Sequence, residues 1–319
     1  MNFSDIKQYM IKLQPILDVE FGSIDNDISK QTLWFNTLKN LATIDVSLAH
    51  IIQHDMGARM NISISQSEVA KQFLQSKPYG ELTGSFSSPK SFDTCIINQS
   101  ILSGTKMMCS NINADYHTFF IKNQGVVLLY KDTKGLMLDL SFQPIGMEAT
   151  ETGNLILNNI EPDNYILLDT IHNTTLHSKR LCFINLSFCT INLGLCIQLV
   201  RDLKKIVTRN STTDNQEIQH LEHKITVYNN LWDSLVYEMV NETDYTTTYI
   251  KKILNLYSEG KDVLANILHK FLLFGGGQNT IMGESSQRFR DALVYVTHRS
   301  SFYSSLNYET SSGHKFIFV

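Results

Sequence analysis

From Lys179 to Val207 apolar residues fall on every face of a 3.6-residue period, so this stretch reads as one long helix buried on all sides. Segment 215–240 carries apolar residues on one face and reads as an amphipathic helix, and 244–274 reads as a third helix, interrupted near Gly260. After Gly275–Gly277 the string "SSQRFRDALVYVTHRSSFY" (285–303) gives another helix, with charges and a histidine set among its apolar positions. Residues 33–62 and 65–75 are helical in period as well; Ser65, three residues before Glu68, reads as the cap of the second. The middle differs. From Thr83 to about Leu168 short β-branched runs alternate with turn residues, among them "DTCIINQSI", "YHTFFIK", "GVVLLYK", "GLMLDLSF" and "GNLILNNI". That texture predicts a small antiparallel barrel or sandwich. The order is helical over 1–82, strand-forming over 83–170 and helical over 171–319, with no internal repeat.

Composition narrows this picture. All five prolines lie within the first 162 residues, so nothing interrupts the helical hydrogen-bond ladder of the last half. A chain of 319 residues with 43% hydrophobic content builds a sizeable core. A net charge of −4 excludes the broad basic field of a nucleic-acid binder. No uninterrupted apolar run reaches a membrane span and the N-terminus lacks a signal-peptide profile, which predicts a cytoplasmic protein without a membrane partner. Five cysteines without paired spacing give no disulfide framework and no metal site. Cys182, Cys189 and Cys196 recur every seven residues, about 10 Å apart along a helix axis, too far to share a metal; they read as packing residues.

Several strings, in order, resemble the acyl-CoA dehydrogenase superfamily of flavoproteins. These are "ATIDVSLAHIIQH" (42–54), "SQSEVAKQFLQSKPYGELTGSFSSP" (65–89), "LSGTKMMCSNINAD" (102–115), "QPIGMEATETGNLILNNIEPDNYIL" (143–167) and "FGGGQNTIMGESSQRFRDA" (274–292). The resemblance implies an α+β fold: an N-terminal helical domain, here shortened, a central antiparallel β-barrel domain and a C-terminal four-helix bundle, assembled as a homodimer or homotetramer. It implies FAD or FMN between the β-domain and the bundle, touching Ser87, Met108, Cys109 and Ser110 in the β-domain and Arg209, Gly275, Gly276 and Gln278 in the bundle. Read without it, the glycine run ends a helix, since it does not follow a strand.

Dehydrogenation of an acyl-CoA needs a desolvated carboxylate to take the α-proton. The position eight residues past Asp291, where the family keeps its glutamate, holds Arg299, and no Asp or Glu lies between Asp169 and Asp202 to replace it. A guanidinium is no base. His298 stands beside it, and "RDALVYVTHRSSFY", "GTKMMCS" and "DVSLAH" resemble the flavin-dependent monooxygenases of this fold, such as those similar to dibenzothiophene monooxygenase. That branch implies reduced flavin from a separate reductase, O₂, and a small organic or carrier-bound acyl substrate. His298 would then handle a proton, Ser110 would meet the flavin edge, and His50, His54 and Arg299 would line the substrate side. By themselves His298 reads as a structural histidine, Arg290–Asp291 as an ion pair holding the last helix, and Tyr295 as core. An acyl-CoA dehydrogenase with a relocated base, and a non-enzymatic relative, are the other two readings.

Overall fold

The computed structural model describes residues 28–75, 82–87, 92–121, 124–141, 146–168, 174–209, 215–241, 247–279 and 284–297. Helix α1 (Ile28–Ile44) leads into α2 (Val46–Ser63) through Asp45, whose carboxylate accepts the Leu48 N–H at 3.0 Å and starts the second helix. The single long helix suggested by the period over 33–62 is therefore two. Helix α3 (Glu68–Gln75) follows, and its cap is Ser67 rather than Ser65: the Ala70 N–H donates to Ser67 Oγ at 3.3 Å, while Ser65 Oγ accepts the Ser67 N–H. The preceding serine, Ser65, shapes the turn into the cap, three residues before the helix begins.

Among the described residues eight strands then build two four-stranded sheets. One has the order β1 (Gly84–Ser87), β4 (Tyr116–Ile121), β5 (Gly125–Tyr130), β8 (Ile166–Leu168); the other β2 (Ile96–Asn98), β3 (Ile101–Cys109), β7 (Gly153–Ile160), β6 (Leu136–Asp139). Every pairing is antiparallel except β1 with β4. Gln99 and Ser100 both take positive φ between the paired residues Asn98 and Ile101, the two-residue turn whose twist suits a hairpin. Alternate residues of both sheets, among them Leu102, Cys109, Phe119, Ile121, Val127, Leu129, Leu155 and Leu157, close a core of their own.

The second core lies among the helices. Helix α4 (Thr174–Arg209) is central, flanked by α5 (Asn215–Asn241), α6 (Thr247–Asn279) and α7 (Glu284–Thr297), with α1 and α2 against it as well. By length and composition its segment Lys179–Thr208 would suffice to cross a membrane, yet 89% of its most apolar window is buried inside the fold. Two of its buried hydroxyls are satisfied where they stand. Ser187 and Thr190 donate to the carbonyls one turn back and accept from the indole N–H groups of Trp34 and Trp232. Cys182, Cys189 and Cys196 are free thiols, fully buried, with burial pushing each well above the ordinary thiol pKa.

Helix α6 runs without a break through Gly260 and through Gly275–Gly277 to Asn279, where the sequence suggested an interruption and a terminus. Glycine lowers helix propensity by about 1 kcal/mol but does not forbid the helix. At Gly260 a side chain would collide with the Tyr228 hydroxyl and lie 2.6 Å from Asn192 Nδ2, so glycine there is what lets α6 approach α4 and α5. The Tyr228 hydroxyl in turn donates to the Cys189 carbonyl at 2.9 Å. Gly260→Ala is expected to cost about 1–3 kcal/mol of unfolding free energy by overpacking, read by chemical denaturation; an unchanged midpoint would contradict the close approach.

Candidate functional site

Three parts of the fold meet at one place: α2, the end of β3 with the turn that enters β7, and α7. Each is clamped to its neighbour. Asp55 on α2 accepts the Gly84 N–H at 2.5 Å and the Arg59 Nε–H at 2.9 Å, and Arg59 reaches on to the Leu82 carbonyl, so the helix is tied to the start of β1. Asp291 on α7 accepts the Met147 N–H at 2.5 Å and the Gln287 amide at 2.9 Å, which fixes the turn before β7 to the last helix. Asp291 thus anchors a backbone and not Arg290, whose guanidinium donates to Ser286 and Gln287 instead. The cross-bundle ion pair of this helix is Arg288 with Asp202 of α4, at 2.7 Å. Burial raises the Asp291 carboxyl above its usual range, against the lowering effect of those two donors and of Arg290.

His50 occupies the junction. Its Nδ1 lies 3.1 Å from the Tyr295 hydroxyl of α7 and its Nε2 lies 3.3 Å from Ser110 Oγ, immediately past β3. Ser110 Oγ is 3.2 Å from Thr152 Oγ1, which is 3.0 Å from Thr150 Oγ1, and Thr150 donates to the Met147 carbonyl at 2.7 Å. The Ser110 carbonyl is held by Ser85 Oγ at 2.6 Å. His54, one turn along α2, donates from Nδ1 to the Phe86 carbonyl at 2.7 Å; the two imidazoles lie 4.3 Å apart by ring centroid, with Phe188 of α4 against both. Both histidines and Tyr295 are buried, and burial, then the neighbouring Tyr257 and Asp291, pushes the Tyr295 phenol far above its ordinary pKa. This phenol stays protonated.

The sequence-derived residues distribute as follows. His50, His54 and Ser110 come together. Met108 precedes Ser110 by two positions in a left-handed conformation (φ 51°), 43% exposed, its N–H bonded to Asn154 Oδ1 at 3.0 Å. Cys109 between them turns its side chain into the sandwich core. Ser87 is buried on β1, in register with Phe119. Arg209 closes α4, and Gly275, Gly276 and Gln278 lie on the last turns of α6; the side chains of Arg209 and Gln278 lie outside the described part of the structure. His298 and Arg299 follow α7 and lie outside the described residues altogether. Sequence reasoning left Tyr295 in the core and passed over Thr150 and Thr152. Tyr295 falls on the α7 face that Asp291 starts, four residues on, and that spacing was its only signal. Among the described residues no group of three or more His, Cys, Asp or Glu is placed to hold a metal ion.

This architecture is the acyl-CoA dehydrogenase fold. The chain is similar to butyryl-CoA dehydrogenase from Megasphaera elsdenii at 14% identity and a TM-score of 0.68, over 98% of this chain and 100% of that one. It is similar to acyl-CoA dehydrogenase from Geobacillus kaustophilus (15% identity, TM-score 0.73, 97% and 92% of the two chains) and to dibenzothiophene monooxygenase from Paenibacillus sp. A11-2 (13%, 0.70, 99% and 90%). No family model matches the sequence, and no curated protein does. The fold, not the sequence, carries the likeness.

Proposed function

We propose that the chain is a flavin-dependent oxidoreductase that uses reduced flavin and O₂ on a small organic or carrier-bound acyl substrate. The observation that carries this reading is the chemical character of the junction. The hydrogen-bonded series through His50 consists of a phenol, an imidazole, three hydroxyls and a carbonyl, and the carboxylate beside it, Asp291, is committed to the Met147 backbone. Proton abstraction from an acyl thioester calls for a carboxylate base, whereas an imidazole moves protons in both directions near neutral pH. The likeness in fold to both dehydrogenases and a monooxygenase supports a flavoprotein oxidoreductase, and the site composition favours the second kind of chemistry.

The described end of the site fits a flavin ring. Met108 offers an exposed apolar side chain two positions from the half-buried hydroxyl of Ser110, which suits a planar heteroaromatic edge. Ser110 and the Met108 backbone would hold the ring, with Ser87 nearby; Arg209, Gly275, Gly276 and Gln278 would serve the phosphate end, of either FMN or FAD. A bound flavin would supply two-electron redox chemistry toward O₂. The chain's own residues orient it, exclude water and hold protons: His50 at Ser110, and His298 and Arg299 on the substrate side together with His54. A separate reductase and homo-oligomeric assembly belong to the same reading.

Binding of FMN and FAD, oxidised and reduced, followed by absorbance and fluorescence, tests it. Saturable binding of either flavin is expected; a protein that takes up neither would make the non-enzymatic reading correct. Bleaching of bound flavin by an acyl-CoA without O₂ would instead establish dehydrogenation. His298→Ala is expected to slow O₂-dependent turnover about 100-fold or more while leaving flavin affinity within a few-fold, the size of effect a general acid–base residue supplies. Equal turnover in the variant would remove His298 from the reaction.

A further inference from the structure

The hydroxyl chain behind Ser110 has a direction, and it is set by a backbone carbonyl. A hydroxyl donates one hydrogen bond. Thr150 spends its proton on the Met147 carbonyl at 2.7 Å, so in the 3.0 Å contact with Thr152 it accepts, and Thr152 donates. Thr152 has then no proton for Ser110, so in their 3.2 Å contact Ser110 is the donor. With that proton committed, Ser110 accepts at its 3.3 Å contact with His50, and His50 Nε2 carries the N–H. A neutral imidazole protonated on Nε2 presents a lone pair at Nδ1, and there the Tyr295 hydroxyl, kept protonated by its burial, is the donor at 3.1 Å. Every bond in the series from the phenol to the carbonyl is used once, in one sense.

We propose that Tyr295 is a positioning residue which, with Thr150 and Thr152, fixes His50 as its Nε2–H tautomer aimed at Ser110 and leaves Ser110 to meet a bound ring as a hydrogen-bond acceptor. The consequence for the ligand rests on the flavin reading above; the tautomer does not. Tyr295 stands on α7 and Thr150 and Thr152 on the turn that Asp291 fixes to that helix, so both ends of the chain are located by one element. A polar group pointed in a single direction selects its partner: an acceptor at Ser110 pairs with a ring N–H and leaves a bare ring nitrogen without a donor.

The wild-type protein itself gives the first readout. Nitrogen-15 spectra of the histidine rings, with His50 assigned by its loss in His50→Gln, are expected to show a protonated Nε2 and an unprotonated Nδ1. A ring protonated on Nδ1, or averaged between the two forms, would overturn the proposal. Tyr295→Phe removes the donor and keeps the ring, and is expected to shift the unprotonated Nδ1 resonance while the hydroxyl chain still holds the proton on Nε2; Thr152→Val frees the Ser110 proton and, with Tyr295 still donating, is expected to disturb the Nε2 resonance while leaving Nδ1 unprotonated. A His50 spectrum unchanged in both variants would also overturn it. Flavin titrations on the same samples keep the two ideas apart. A fixed Nε2–H tautomer in a protein that takes up no flavin would uphold the positioning role and remove the proposed function, whereas tight flavin binding with an averaged ring would do the reverse.

Discussion

Replacing His117 with phenylalanine is expected to flatten the dependence of stability on pH between about 6.5 and 3. His117 sits on β4 with its side chain on the inner face of the sandwich, in register with Ser85 of β1 and Leu129 of β5. It is buried, and neither ring nitrogen has a hydrogen-bond partner among the described residues. Desolvation pushes its pKa down to about 3; the nearby Lys131 adds to that and Asp115 opposes it. The unfolded chain binds a proton on this residue near the ordinary value of 6.5, and the folded chain does not until about pH 3. Stability from the neutral buried ring is therefore complete above 6.5 and drains away as the pH falls across that window. The slope is about 1.4 kcal/mol per pH unit, so roughly 3 kcal/mol is lost on going from neutrality to pH 4.5. Denaturant titrations at pH 7 and 4.5 would read it. The wild-type difference should exceed that of His117→Phe by roughly 3 kcal/mol, carboxylate titration being common to both. Parallel pH profiles would mean that the folded sandwich accommodates the charged ring, contrary to the cost of its desolvation.

How much of this was legible beforehand follows from what each residue's environment depends on. The long core helix could be read from Lys179–Val207 because burial on all sides leaves a run with no polar face, and the cysteine stripe within it is now a row of buried thiols. The strand texture was legible from period and turns, though the parallel pairing of β1 with β4 was not, since pairing direction depends on how the chain returns and not on residue type. Glycine misled twice: at Gly260 and Gly275–Gly277 it reads as punctuation, whereas at Gly260 the residue answers the space left by Tyr228, 32 positions earlier in sequence and adjacent only in the fold. His50, His54 and Ser110 were singled out from a family likeness and the structure brings them together. Tyr295, Thr150 and Thr152 were not singled out, because a hydroxyl among apolar neighbours carries no signal until its partner across the fold is known. The Arg290–Asp291 doublet shows the reverse error: adjacency suggested a pair, while on a helix consecutive residues point to different sides.

The second large effect is expected at Arg180, and it separates packing from charge. Arg180 is fully buried on α4, donates to Asn61 Oδ1 of α2 at 2.7 Å and lies over the rings of Phe86 on β1 and Phe120 on β4, at 5.6 and 5.0 Å. One side chain thus joins the helical core to β1 and β4, and Asn61 passes the contact on to Thr118 of β4 at 3.0 Å. Its guanidinium bears a heavy desolvation cost, which lowers its pKa to about 9. Arg180→Ala would open a large cavity between two aromatic rings and take the donor from a buried amide; about 3–5 kcal/mol of unfolding free energy should be lost. Arg180→Met fills most of the space without a charge, and because apolar replacement of a buried ion relieves its desolvation, that variant should recover more than half of the loss. If methionine were as damaging as alanine, the bonds to Asn61 and the two ring faces, not the filled volume, would be what holds α4 to α2, β1 and β4. His54 would report that outcome, because its Nδ1 donates to the carbonyl of the same Phe86 that Arg180 covers. A displaced Phe86 would then move His54 and, 4.3 Å away, His50, so flavin uptake should weaken in step with stability in Arg180→Ala and stay near wild type in a well-packed Arg180→Met.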